Sequence, residues 1–108
     1  MGLPLAGIRV VEIASFVAVP AAGALLADLG ADEIKVEVPW GELYRHARPK
    51  LAGFESDFAA GPPFQMDNRG KRSLAVDLAL REARTALKKV IARADIVITN
   101  VLPERLAR

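Results

Sequence analysis

Four short segments of this chain carry the β-branched or alternating pattern of strands, and the segments between two pairs of them carry the spacing of helices. Residues 8–14 are rich in Ile and Val and follow the turn residues Pro4 and Gly7, which predicts a first strand. A helix is predicted from Pro20, because Pro suits a first helical turn and residues 21–29 are strong helix formers. Gly30 is its predicted left-handed cap, and its apolar composition all round predicts burial on more than one side. Residues 32–38 then alternate strictly. Ile34, Val36 and Val38 point one way and Glu33, Lys35 and Glu37 the other, a second strand with one wetter face that Pro39 ends. Strand, helix and strand in so short a span make a βαβ unit with an expected right-handed crossover.

A second cycle follows. Residues 73–78 alternate through Leu74, Val76 and Leu78, predicting a third strand. Leu80, Ala83, Leu87, Val90 and Ile91 recur at helical spacing, with Arg81, Glu82, Arg84, Lys88 and Lys89 opposite. Ile96, Val97 and Ile98 form a fourth strand without alternation, the pattern of a strand covered on both faces. Repeated β–α units predict an α/β fold: a Rossmann-like open parallel sheet. Between the cycles, residues 39–71 show no periodicity yet hold Trp40, Tyr44, Phe54, Phe58 and Phe64, five of the six aromatics. A disordered linker is poor in aromatics, so this stretch reads as an ordered arm after the second strand.

Composition narrows the class. The 108 residues suffice for one domain, 52% are hydrophobic and 26% charged, and the net charge is only +2. Such a balance points to an ordinary globular chain without a strong pull toward nucleic acid or an anionic membrane. No cysteine is present, which excludes disulfides and thiolate metal sites. The apolar stretch near the N-terminus lacks a basic preceding region, contains Arg9 and Glu12, and is broken by Pro20 and Gly23. It therefore reads as neither signal peptide nor membrane span, and a cytoplasmic location is expected.

Ligands of open parallel sheets bind beyond the carboxyl ends of the strands, here residues 14–20 and 99–103. The first of these turns has no glycine and no Walker-type loop occurs, which argues against dinucleotide enzymes and nucleotide hydrolases. Asn100 offers both a donor and an acceptor to a polar ligand, and equally suits the N-cap of a helix begun by Pro103. The basic run Asn68-Arg69-Gly70-Lys71-Arg72 suits a phosphate, although such clusters are more often solvated turns. His46, the single histidine, has no evident catalytic companion, and Glu37 and Asp77 read as solvent-facing or capping carboxylates.

Several segments in their order resemble the family III CoA-transferases, the group containing formyl-CoA transferase, carnitine CoA-transferase and α-methylacyl-CoA racemase. They are Pro4-Leu5-Ala6-Gly7-Ile8-Arg9-Val10-Val11-Glu12, Leu26-Ala27-Asp28-Leu29-Gly30-Ala31-Asp32 and Ile34-Lys35-Val36-Glu37. The others are Asn68-Arg69-Gly70-Lys71-Arg72-Ser73, Ala94-Asp95-Ile96-Val97 and Asn100-Val101-Leu102-Pro103. The resemblance implies a coenzyme A thioester as ligand, without a metal, and a homodimer that is interlocked in full-length members. It assigns CoA contacts to Val17 and Ala18, to the third strand's end from Val76 to Ala79, to Asn100, Val101 and Leu102, and to Arg108. It implies residues 1–108 are the N-terminal part of a CoA-binding domain, with the acyl-accepting aspartate beyond Arg108, so that no catalytic residue falls within this chain and the chain alone is expected to be inactive. Three positions depart from the transferase pattern. Val17 stands where some transferases have glutamine, Val38 where members often have arginine, and Ala79 where lysine is common. Those losses bring the racemase branch nearer and leave Arg45 or Arg48 as substitute cations. A non-catalytic CoA- or nucleotide-binding remnant remains the other alternative.

Overall fold

A computed structural model describes residues 2–47 and 60–107. Four strands, β1 (Arg9–Ile13), β2 (Asp32–Glu37), β3 (Arg72–Ala75) and β4 (Ile96–Thr99), form one parallel sheet in the order β3-β2-β1-β4. The registers place Val10 beside both Glu33 and Ile96, and Ile34 beside Arg72. Helices α1 (Ala18–Asp28), α2 (Pro62–Asn68), α3 (Arg81–Ile91) and α4 (Pro103–Leu106) and a 3-10 turn over Leu43–His46 complete the described elements. This is the Rossmann-like α/β architecture that the periodicities predict.

The two faces of the sheet differ in chemistry. On one, Val11, Val36 and Leu87 of α3 form a dry layer with Ile13, Leu74, Val76, Val90, Ile91 and Ala94. The spacing of the α3 sequence is thus realised as a buried seam, with its arginines and lysines outside. The other face lies under α1, which packs on β1 and β2 and against α2. Here the expected wet face of β2 is corrected: Glu33, Lys35 and Glu37 are all buried, beside Glu12 of β1. Alternation reports which residues share a face, not whether that face meets water.

Boundaries shift in physically sensible ways. α1 begins two residues before Pro20, which sits in the first turn, where its missing N–H costs nothing. Gly30 adopts φ 103°, and the Ala31 N–H returns to the Leu26 carbonyl at 3.0 Å, closing α1 as predicted. β3 starts at Arg72 and ends at Ala75, so Val76 to Leu78 lie beyond it. The arm holds structure that no long periodicity announces. The 3-10 turn and the seven-residue α2 flank its undescribed part, where Arg48, Phe54 and Phe58 fall. Phe64 is buried as expected of an ordered arm, whereas Trp40 is 74% exposed. β4 is an edge strand with Ile96 and Val97 largely exposed, so the expectation that it is covered on both faces fails for the described residues.

Candidate functional site

The carboxyl ends of the strands open into a cleft of about 370 Å³. Ile13, Ala14 and Ser15 after β1, Val36, Glu37 and Val38 of β2, Val76 and Leu78 after β3, and Val101 after β4 line it. Trp40, Gly41, Glu42, Leu43 and His46 of the arm wall the remaining side. The lining is mainly apolar with a few polar groups, the usual make-up of a small-molecule site.

The predicted contact residues gather around this end of the sheet. Val76 and Val101 line the cleft. Val17 caps α1 and Ala18 opens it, and both are exposed. Ala79 lies in the turn before α3, where its N–H donates to Asp77 at 3.0 Å. Arg84 donates to the carbonyls of Leu78 and Ala79, which puts a positive charge at a turn where Ala79 itself supplies none. Leu102 is 63% exposed at the head of α4, and Arg108 falls outside the described residues. Asn100 does not cap α4, whose N-cap is Leu102. Its amide instead accepts from the Ser15 N–H at 3.2 Å and donates to the Ser15 carbonyl at 2.8 Å. That reciprocal pair ties the ends of β4 and β1 together under the cleft. Thr99 reinforces it with a hydroxyl bond to the Ile13 carbonyl at 2.6 Å.

The basic candidates are engaged elsewhere. Arg69 pairs with Asp28 and Arg72 with Asp32, both at the surface. The Lys71 side chain is buried, and its ammonium meets Glu12 at 2.6 Å, Asn68 Oδ1 at 2.8 Å and the carbonyls of Pro20 and Asp67. Each cation of the basic run is thus paired with a carboxylate of the chain, and Lys71 is not solvated. Arg45 is likewise committed: it forks onto Glu37 through two 2.6 Å bonds and lies 4.2 Å from the Phe64 ring centre. Among the described residues no group of three or more His, Cys, Asp or Glu is placed to hold a metal ion.

Behind the cleft lies the feature that sequence reasoning missed, a buried ionic layer. Lys35 bonds Glu12 at 2.7 Å and the Ala14 carbonyl at 3.2 Å, and stands 2.8 Å from Glu42. Neither oxygen of Glu33 meets a donor, and its carboxyl lies against that of Glu12. Burial, and then the neighbouring Glu12 charge, push the Glu33 carboxyl up to about 7. Burial also acts to raise Glu37, but bonds from Arg45, Ser73 and the Glu42 N–H outweigh it and hold that carboxyl down to about 2. Burial pulls Lys71 below its ordinary value, against the hydrogen bond and charge of Glu12. Below about pH 7 Glu33 holds its proton, and the ion pairs of the layer join Glu12, Glu37 and Glu42 to Lys35, Arg45 and Lys71. The signal available in the sequence was Glu12, a carboxylate set among Val10, Val11 and Ile13 of the first strand.

A four-stranded parallel sheet with an apolar cleft at its carboxyl edge defines an α/β domain with a candidate ligand cleft. The sequence places it further: the model of CoA-transferase family III matches residues 5–108, and the chain belongs to that family. It is 38% identical over 107 residues to the succinate–glutarate CoA-transferase of Agrobacterium fabrum, an alignment covering 97% of this chain and 27% of that protein. It is 43% identical over 93 residues to the succinyl-CoA:mesaconate CoA-transferase of Haloarcula hispanica, covering 86% of this chain and 23% of the relative. A CAIB/BAIF family protein from Brucella suis superposes with a TM-score of 0.85 at 38% identity, over 99% of this chain and 28% of that structure. The chain thus spans about a quarter of the length of the curated relatives it matches.

Proposed function

We propose that this chain is the N-terminal CoA-binding portion of a CoA-transferase that moves CoA between carboxylic acids. The acyl group would be carried as an anhydride on an aspartate outside residues 1–108. CoA thiolate would attack the aspartyl carbonyl of that anhydride, releasing the donor acid and leaving an aspartyl thioester. The acceptor carboxylate would attack this thioester to form a second anhydride, and the freed thiolate would take the acceptor acyl group and regenerate the aspartate. On this reading the chain alone binds CoA and catalyses nothing.

The observation that carries the proposal is the cleft, to which the ends of all four strands contribute and to which Val76 and Val101 bring apolar surface. Its position suits a ligand with an apolar arm and a few polar groups. The names of the relatives favour transfer over racemisation, and Val17, Val38 and Ala79 become local variations within the transferase group. We also propose that the protein works as a soluble homodimer. No helix among the described residues is long and apolar enough to cross a membrane.

Calorimetric titration with CoA tests the reading. Saturable heat is expected, with affinity falling about tenfold or more in Asn100→Ala because the β1 and β4 ends lose their tie. No heat at millimolar CoA sinks the claim that this portion suffices for binding.

A further inference from the structure

The turn joining β1 to α1 is held in a conformation its own sequence does not favour. Phe16 has φ 67°, the only positive value at a non-glycine position among the described residues. A bulky side chain in the left-handed region costs free energy, and such a residue persists only where its surroundings fix it. No glycine or asparagine is present to ease the turn, so the restraint must come from elsewhere in the chain.

Glu42 supplies it. This arm residue is 6% exposed, and its Oε1 accepts the Phe16 N–H at 2.5 Å. Its other oxygen faces the Lys35 ammonium at 2.8 Å, an ionic contact off the hydrogen-bond directions. Its own N–H donates to Glu37 Oε1 at 3.1 Å, which fixes the residue from behind. Gly41, at φ 86°, turns the arm so that Glu42 reaches inward. Phe16 in turn leans on Tyr44, with ring centres 5.9 Å apart. The result is a clasp between two segments that both border the cleft. Past Phe16, the N–H groups of Val17 and Ala18 at the start of α1 have no hydrogen-bond partner among the described residues, as the first turn of a helix leaves them.

We infer that Glu42 is a positioning residue. Its carboxylate holds the β1–α1 turn in the left-handed form that presents the Val17 and Ala18 N–H groups to an oxygen of the bound thioester. The clasp itself stands on geometry alone, whereas its effect on ligand rests on the CoA reading above. A carboxylate from the arm also makes the turn responsive to arm placement, because loss of the arm contact frees Phe16 to relax.

The experiment compares the wild-type chain with Glu42→Ala and Glu42→Gln by amide hydrogen exchange and CoA calorimetry. In Glu42→Ala, exchange at the Phe16 amide should quicken about tenfold or more, the value of a lost bond to a charged acceptor. Amides of Val10 and Val11 should keep their protection, which shows that the sheet persists. Glu42→Gln retains an acceptor and should restore most of the Phe16 protection despite losing the charge facing Lys35. CoA affinity should follow the same order across the three proteins. An unchanged Phe16 amide in Glu42→Ala overturns the clasp, and so does failure of glutamine to rescue it. Wild-type CoA affinity in a Glu42→Ala protein whose Phe16 amide has lost protection overturns the positioning role. If none of the three binds CoA while the amide results hold, the clasp stands and the CoA reading fails.

Discussion

Replacing Glu33 by glutamine should stabilise this chain at alkaline pH and leave it nearly unchanged at acid pH. Glu33 is 1% exposed, neither of its oxygens meets a donor, and burial, with the Glu12 carboxylate alongside, raises its carboxyl from 4.5 to about 7. Below about pH 4.5 the carboxyl is protonated folded and unfolded, so ionisation takes nothing from stability. Between 4.5 and 7 the folded chain keeps a proton that the unfolded chain releases, and stability falls as pH rises. Above about 7 both states are ionised and the full penalty applies, on the order of 3 kcal/mol at 1.36 kcal/mol per pKa unit. Glutamine is a permanent mimic of the protonated acid, so Glu33→Gln should gain about 3 kcal/mol at pH 8 and less than about 1 kcal/mol at pH 5. Urea unfolding followed by far-ultraviolet circular dichroism at the two pH values measures this. Trp40 is too exposed for its fluorescence to report the core. A gain independent of pH, or a loss at pH 8, would refute the assignment of Glu33 as the proton-bearing member of the layer.

Two further predictions concern packing and association. Gly23→Ala should destabilise the chain by about 1–3 kcal/mol in the same urea assay, although alanine favours helix by about 1 kcal/mol. A Cβ there would stand 2.3 Å from a Glu12 oxygen and 2.7 Å from a Glu33 oxygen, and both are locked in the layer, so a neutral or stabilising result means the layer yields freely. The chain should also self-associate, because Ile96 and Val97 on the edge strand and Leu102 and Leu106 beyond it are exposed. A monodisperse monomer in light scattering contradicts that.

Much of the fold was legible because its elements are long enough for their period to show. The β2 alternation, the α3 seam and the Gly30 cap follow from residue spacing alone. α2 was not legible, since seven residues starting Pro-Pro complete too few turns for a periodic signal. Burial of Glu33, Lys35 and Glu37 was hidden for a different reason. Their partners, Glu12, Glu42, Arg45 and Lys71, lie on other elements, and pattern along one strand carries no information about them. At the site, the strand-end rule located the cleft, and family resemblance supplied Val76 and Val101. Asn100 drew notice for its bonding capacity; the helix-cap reading of it fails, because its amide bonds the Ser15 backbone on another strand end. Glu42 escaped notice because one carboxylate in an aperiodic arm has no signature until the chain is folded.

The ionic layer also bears on how the chain finds its alignment. β1 and β2 pair with Glu12 beside Lys35 and Val11 beside Ile34, so charges lie on one side and aliphatic groups on the other. A slip of one residue would swing Glu33, Lys35 and Glu37 into the seam around Val11 and Leu87, where no countercharge waits. Such a misaligned sheet would bury three ionisable side chains among hydrocarbon, a cost far above that of a misplaced methyl group. Contacts that add little net stability in the native state thereby make its nearest competitors inaccessible. In this protein the buried charges serve as a lock on strand register.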